Sequence, residues 1–454
     1  MQYLLIAGIV ALLLILIGMD IGSSFLSASL LYALLSGGSI SSYARTAFTT
    51  NNSYSLLAVP LFMLAGLLME RSGIAGSLVD LCEALLRKVK GGMAAVIPLV
   101  SMIFGTLCGS GMATVSTIGS ITIERFEKLG YDRRYSSALV AASGPLGYMI
   151  PPNMNAIIFG LVSTASVSAL FLATIVPGVI WGIGYIIMNR FMYARYYTKR
   201  EYVYVPDSAN ELLKDKKKKS ADDQINRKPV SIGRAFVSAI PALLMPVIIL
   251  GGIYGGLCTP TEAGAVSSLY ALIVGVIIYR KLKGKNTLQC FADTGTSLGT
   301  IMIIFPFVMI FSKIMVLNGL PTALMTFVSG LQIPKFVILL ITDLILLVAG
   351  CFFDAPILTL VLPPMMIPTM NMLGVTATQF GVIVFMAIGI GAFTPPMAAN
   401  LFVAARVGKV NLREMLKPLM PFLFGVAIPV MLLVTFIPEL STWLPELVLG
   451  MPCV

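Results

Sequence analysis

Two proline pairs, Pro151-Pro152 and Pro395-Pro396, sit inside long charge-free stretches. A proline pair removes two backbone donors and breaks a helix. At membrane depth such a break survives only where it is buried in protein or lines a cavity. The chemistry it allows is ion and anion binding. Unwound backbone frees carbonyl oxygens that suit a hard alkali cation, and a half-helix N-terminus turns N–H groups and a positive dipole end toward an anion. The chain contains no histidine. That removes a Ser-His-Asp triad, an HExxH zinc site, a haem-ligating histidine and a histidine proton relay. Six cysteines (Cys82, Cys108, Cys258, Cys290, Cys351 and Cys453) show no CxxC spacing, which reads as free thiols among apolar residues.

The elements that must hold these breaks follow from composition. Of 454 residues, 57% are hydrophobic and 11% charged, with a mean hydropathy of +0.93; soluble domains carry roughly 25% charged residues. The fold class is therefore an all-α polytopic membrane protein. The net charge of +11 fits basic cytoplasmic loops between spans rather than a nucleic-acid stripe. Charge-free runs give spans near 3–18, 21–36, 56–69, 169–189, 236–255, 263–279, 295–311, 335–349 and 418–437. The first run has no basic flank before it and no small-residue cleavage site after it, so it reads as a span and not a signal peptide.

Gly91–Ile123 is uncharged for 33 residues. As one helix it would be about 50 Å long, and two crossings need about 40 residues. Both of its flanks are basic: Arg87 and Lys88 before, Arg125, Lys128, Arg133 and Arg134 after. Both flanks therefore prefer the cytoplasm, and the segment reads as a re-entrant hairpin (about 91–123) with its tip near Gly105–Gly111. A broken helix follows at about 135–165. The segment 198–234, with Lys216–Lys219, reads as a charged cytoplasmic linker between an N-terminal half (1–197) and a C-terminal half (235–454), with lipid head groups as the alternative partner of its lysines.

The halves echo each other. Gly130 precedes Pro151 by 21 residues and Gly374 precedes Pro395 by 21; Gly147 and Gly391 each lie four before those prolines; Ser110 and Asp354 each lie 41 before them. The second half then holds a hairpin at about 336–370 and a broken helix at about 380–404. The loop at 124–134 is basic, whereas its counterpart at 371–380 is uncharged. The two copies therefore read as inverted, with both termini periplasmic, and paired broken segments in inverted halves point to a secondary transporter with its site at the midplane.

The ordered motifs Pro60–Gly66, Gly109–Val115, Gly147–Pro152, Thr259-Pro260-Thr261-Glu262-Ala263 and Thr394-Pro395-Pro396 resemble the large membrane subunit of the tripartite ATP-independent periplasmic (TRAP) transporters, from about residue 5 to 435. The resemblance implies an elevator-type importer of carboxylates (a C4-dicarboxylate, sialic acid or sugar acid) in the bacterial inner membrane, driven by an ion gradient, usually Na⁺, with no other cofactor. It also implies two partners, a small four-helix membrane subunit and a periplasmic substrate-binding protein. Since the chain opens directly on the large-subunit region, the small subunit is expected as a separate polypeptide. Carried over by motif, a first sodium site would use Gly105, Cys108, Ser110, Gly147, Ile150 and Pro151. A second would use Gly350, Gly391, Thr394 and Met397.

Two departures bear on the first site. Cys108-Gly109-Ser110-Gly111 replaces the family's Ser-Gly-Ser-Ser, and a thiol is a poor sodium ligand. Asn153 follows the first proline pair where the family has serine; an amide accepts like a hydroxyl but also donates. Ser110, Asn153, Asp354 and Asn400 are the polar candidates for contact with substrate. Asp354 is an intramembrane carboxylate and so a functional candidate, Asp343 reads as structural or interfacial, and Glu262 as the partner of Thr259 in a capping box. Two other classes stay open: a stand-alone Na⁺/anion symporter of similar hairpin architecture, and, more remotely, an intramembrane enzyme. The latter lacks histidine and paired intramembrane aspartates.

Overall fold

The computed structural model describes residues 2–89, 91–197, 231–353 and 355–450. Among them there is no strand beyond an isolated bridge between Tyr131 and Tyr197. The helices in chain order are α1 (Gln2–Leu16), α2 (Ile21–Ser36), α3 (Ile40–Asn51), α4 (Ala58–Arg71), α5 (Ile74–Leu86), α6 (Gly92–Cys108), α7 (Gly111–Lys128), α8 (Arg133–Ser143), the single turn α9 (Leu146–Met149), α10 (Met154–Val162) and α11 (Val167–Tyr196). After the linker come α12 (Ile232–Tyr254), α13 (Pro260–Ile273), α14 (Gly284–Leu317), α15 (Leu320–Gly330), α16 (Lys335–Phe352), α17 (Ala355–Met372), α18 (Ala377–Gly391), α19 (Ala399–Gly408), α20 (Leu412–Phe422), α21 (Ile428–Phe436) and α22 (Glu439–Leu449). Among the described residues, eight helices are long and apolar enough to cross a membrane.

Both expected hairpins are present as paired helices. α6 and α7 are joined at Gly109-Ser110, where Gly109 takes a left-handed φ of 59°. The turn falls at the late end of the expected tip because α6 continues to Cys108, and the second arm extends past the expected boundary to Lys128. α16 and α17 form the second hairpin. The first broken helix is α8, then α9, then α10; the second is α18 followed after the break by α19. Both proline pairs are cis. Of the linker, residues 198–230 lie outside the described residues, and α12 already begins at Ile232, inside the boundary expected from charge alone.

The packing repeats at the offset of Pro151 from Pro395. α4 packs on α13, and in the counterpart position α14 packs on α2. Each hairpin's first arm packs on its own broken helix, α6 on α8 and α9, α16 on α18. The second arms cross over: α7 packs on α19 and α17 on α10. Hairpins and broken helices thus interlock as one inner group with α11 and α18 at its core, while α2, α4, α13 and α14 frame it. Two side-chain contacts fix elements locally. Thr259 and Glu262 form the expected capping box of α13, with the Thr259 N–H donating to Glu262 Oε2 at 2.7 Å. Buried Asp343 accepts from Thr435 Oγ1 at 2.9 Å and so joins α16 to α21, a structural role.

Candidate transport site between the hairpin tips

The residues expected at the first ion site do meet. A Cβ on Gly105 would overlap Gly147 Cα, so hairpin and broken helix touch backbone to backbone. A Cβ on Gly147 would lie 2.6 Å from Thr114 Oγ1 and 3.2 Å from the Ser110 carbonyl oxygen. Thr114 donates its hydroxyl to that carbonyl at 2.8 Å, and Cys108 Sγ stands 3.3 Å from Thr114 Oγ1. Ser110 caps α7 by accepting from the Ala113 N–H at 3.5 Å. Oxygen donors therefore gather at Gly147 from Ser110 and Thr114, and Thr114 supplies the side-chain oxygen that the Cys108 thiol does not. Thr114 lies within the Gly109–Val115 motif but was not among the expected ligands; its signal was the four-residue spacing from Ser110, which stacks the two on one helix face. Ile150 and Pro151 end the first half, with the Ile150 side chain against Gly178.

The second set is built the same way. A Cβ on Gly391 would overlap the carbonyl of Gly350, and one on Gly350 would lie 2.8 Å from the Ala387 oxygen. Thr394 donates its hydroxyl to the Ile390 carbonyl at 2.6 Å and its N–H to Gly391 O at 3.0 Å. The hydrogen is used, but the oxygen keeps lone pairs for a cation. Met397 is 60% exposed and its residue lines the central cavity.

The substrate candidates separate. Ser110 lines two adjoining cavities. Asn153 does not line them: its Oδ1 accepts from the Ala156 N–H at 2.7 Å, capping α10, and the residue is buried. Asn400 is fully buried against Gly144 rather than facing a cavity, and its amide has no hydrogen-bond partner among the described residues. Asp354 lies outside the described residues.

The larger cavity, about 330 Å³, opens between the two hairpin tips. Its wall contains the first residues of four helices: Met112 of α7, Met154 and Asn155 of α10, Ala355 of α17 and Ala399 of α19. No Asp, Glu, Lys or Arg is among its described lining residues. Tyr148 and Ser297 also line it, and neither was singled out by motif. Tyr148 packs on Gly111, where a Cβ would overlap the ring. A second cavity of about 190 Å³ adjoins it along Gly109 and Ser110 and is walled by Glu70, whose Oε1 accepts from Thr117 Oγ1 at 2.8 Å.

A helical membrane protein whose two hairpin tips and two interrupted helices enclose one central cavity is a secondary transporter. Residues 8–440 match the model of the family described as tripartite ATP-independent periplasmic transporter, DctM component, and the chain belongs to that family. It is a transport permease of the inner membrane and not an enzyme. It is 31% identical to the C4-dicarboxylate TRAP transporter large permease protein DctM of Pseudomonas aeruginosa, over 93% of each chain. It is 32% identical to the sialic acid TRAP transporter large permease protein SiaM of Vibrio cholerae, over 95% of this chain and 96% of the other. It is 33% identical to the isethionate TRAP transporter permease protein DctMQ of Oleidesulfovibrio alaskensis over 87% of this chain, but spans only 59% of that protein. Among solved structures the YdaH transporter of Alcanivorax borkumensis matches with a TM-score of 0.58 at 13% identity, over 90% of each chain. At that identity the likeness concerns the fold.

Proposed function

We propose that this permease imports an organic acid anion coupled to Na⁺, the substrate being delivered by a periplasmic binding protein and the permease working with a small membrane subunit. The observation that carries the reading is the convergence of four helix N-termini on a cavity with no acidic residue among its described lining residues. Each N-terminus stabilises an anion by about 0.3–1 kcal/mol when exposed and up to about 2 kcal/mol when partly buried. Together they replace the arginine or lysine that an anion site would otherwise need. The sodium ions, as co-transported cargo, would take the carbonyl and hydroxyl oxygens at Gly105–Gly147 with Ser110 and Thr114, and at Gly350–Gly391 with Thr394. Bound there, they would add positive charge behind the same helix ends, which links ion and anion binding. The relatives named for C4-dicarboxylate, sialic acid and isethionate support an acid-bearing substrate.

The inner group of hairpins and broken helices would carry the cavity across the membrane against the frame of α2, α4, α13 and α14, in an elevator movement. The basic turn at 129–134 and the segment 198–234 would face the cytoplasm and both termini the periplasm. The test is uptake into proteoliposomes holding this chain and its small subunit, with labelled dicarboxylate, sialic acid and isethionate offered in turn. Uptake should require both a Na⁺ gradient and the cognate binding protein. Saturable uptake without either would overturn the coupling or the partner.

A further inference from the structure

At the other end of the inner group, away from the central cavity, a pocket of about 350 Å³ lies between the α7–α8 turn and the last turn of α11. Its polar wall holds three guanidinium groups, Arg133, Arg134 and Arg195, against two carboxylates, Glu127 and Asp132. Glu414 of α20 brings the carboxylates to three, so the charges balance and what is left over is N–H donors. Arg133 is committed: Nη1 donates to Glu127 Oε2 at 2.7 Å and Nε to the Gly408 carbonyl at 2.5 Å. Arg134 Nε reaches Glu414 Oε2 at 3.3 Å and lies 4.0 Å from Asp132 Oδ1, while its side chain is 56% exposed. Asp132 Oδ1 is occupied by the Arg134 N–H at 2.7 Å, which caps α8. Arg195 has no ion pair among the described residues.

The frame is firm. The Asp132 N–H donates to the Tyr196 carbonyl at 2.9 Å, the Tyr131 and Tyr197 rings lie 5.0 Å apart, and Tyr196 stacks on Tyr135 at 4.8 Å. The Arg195 guanidinium, which has no ion pair among the described residues, and the Arg134 guanidinium beyond its Nε contacts, set beside the N-terminus of α8 and within a rim of tyrosines, match a tetrahedral oxyanion. The planar fork of arginine takes two phosphate oxygens at once, and tyrosines concentrate where a membrane meets water.

We propose that this pocket binds a phosphate group through Arg134 and Arg195, and that its occupant ties the α7–α8 turn to the end of α11. Two sources share that chemistry, the headgroup of an anionic phospholipid and free inorganic phosphate. The lipid source rests on the reading that this turn lies at the cytoplasmic leaflet; the phosphate site does not.

Amide exchange tests it on the full chain in nanodiscs, which offer both leaflets whatever the orientation. Three conditions are compared: phosphatidylcholine alone, phosphatidylcholine with phosphatidylglycerol, and phosphatidylcholine with inorganic phosphate in the buffer at matched ionic strength. With a probe at about ten times its dissociation constant, opening of the segments 127–134 and 190–197 should slow about tenfold. The Arg134→Gln/Arg195→Gln variant should lose that protection while the rest of the chain exchanges as in the parent. Should the double variant be altered globally, Arg195→Gln alone carries the comparison, since it breaks no ion pair among the described residues. Protection by phosphatidylglycerol alone supports the lipid source, and protection by phosphate in phosphatidylcholine supports the free ion. No protection by either, or equal protection in the variant, overturns the site. Transport coupling is read separately by uptake, so the two outcomes do not confound each other.

Discussion

At the scale of single residues, Thr394 and Gly391 make different demands. Thr394→Val keeps the shape and removes one oxygen. Leaving one polar partner unmatched costs about 1–3 kcal/mol, which is roughly a 5- to 150-fold weaker apparent Na⁺ affinity. Uptake against Na⁺ concentration, with binding protein and substrate fixed, should show a raised half-saturation that high Na⁺ partly rescues; an unchanged Na⁺ curve in folded protein would remove Thr394 from the ion site. Gly391→Ala is worse, because the new methyl overlaps the Gly350 carbonyl. Overpacking of this kind costs about 1–3 kcal/mol, so both the melting temperature and uptake should fall, while Gly233→Ala, with open space around it, changes neither. The candidate ion-site positions came from the family resemblance, and spacing from the proline pairs marked Gly147 and Gly391 independently. Their backbone contact was not legible, since nothing in a glycine's identity names the glycine it will touch. Asn153 misled for a related reason: one amide serves equally as ligand or as helix cap, and only the following helix start at Met154 decides.

At the scale of elements, the long apolar spans and the first hairpin could be read from the absence of charge, because a membrane core excludes it; the second hairpin, which holds Asp343 and Asp354, was readable from the repeat. Helices lying outside that rule could not. α3 carries seven Ser, Thr, Arg and Asn residues in its 12, α5 holds Asp80 and Glu83, and α15 and α22 are short. The true start of α14 at Gly284 was hidden by Lys285 and Asp293, of which the latter pairs with Arg71 of α4. The capping box of α13 was readable from four residues, and it gives a test. Thr259→Ala should cost about 0.5–2 kcal/mol as a lost cap. A lower melting temperature with an unaltered Na⁺ half-saturation is expected; a shift in Na⁺ dependence would mean that Thr259 does more than cap. A cysteine at Ser208, in a background without native thiols, should resist an impermeant reagent in intact cells and react after lysis; labelling without lysis would invert the proposed topology.

At the scale of the whole molecule, the elevator reading requires the inner group to slide past the frame. Gly66 of α4 meets Cys108 of the first hairpin tip, where a Cβ on Gly66 would lie 3.4 Å from Cys108 Cβ, close to the roughly 3.5–4.5 Å span of a disulfide, and 2.9 Å from Cys108 Cα, so that the tip must shift by a few tenths of an ångström to admit it. Gly66→Cys should therefore cross-link to the native Cys108 on oxidation, stop uptake, and recover it on reduction. Cys108→Ser in the same variant should abolish the cross-link, and a cross-linked protein that transports at the reduced rate would mean the two bodies do not part. The glycine pairs also bear on how such a protein diversifies. Every replacement of a glycine adds a side chain, and at Gly391 the smallest of them already collides with Gly350. The glycine contacts at the proposed cation sites are thus closed to gradual drift, whereas the cavity wall at Tyr148, Asn155 and Ser297 is open to it. A saturation library should return blank columns at Gly105, Gly147, Gly350 and Gly391 for every cargo, and cargo-dependent columns along the wall.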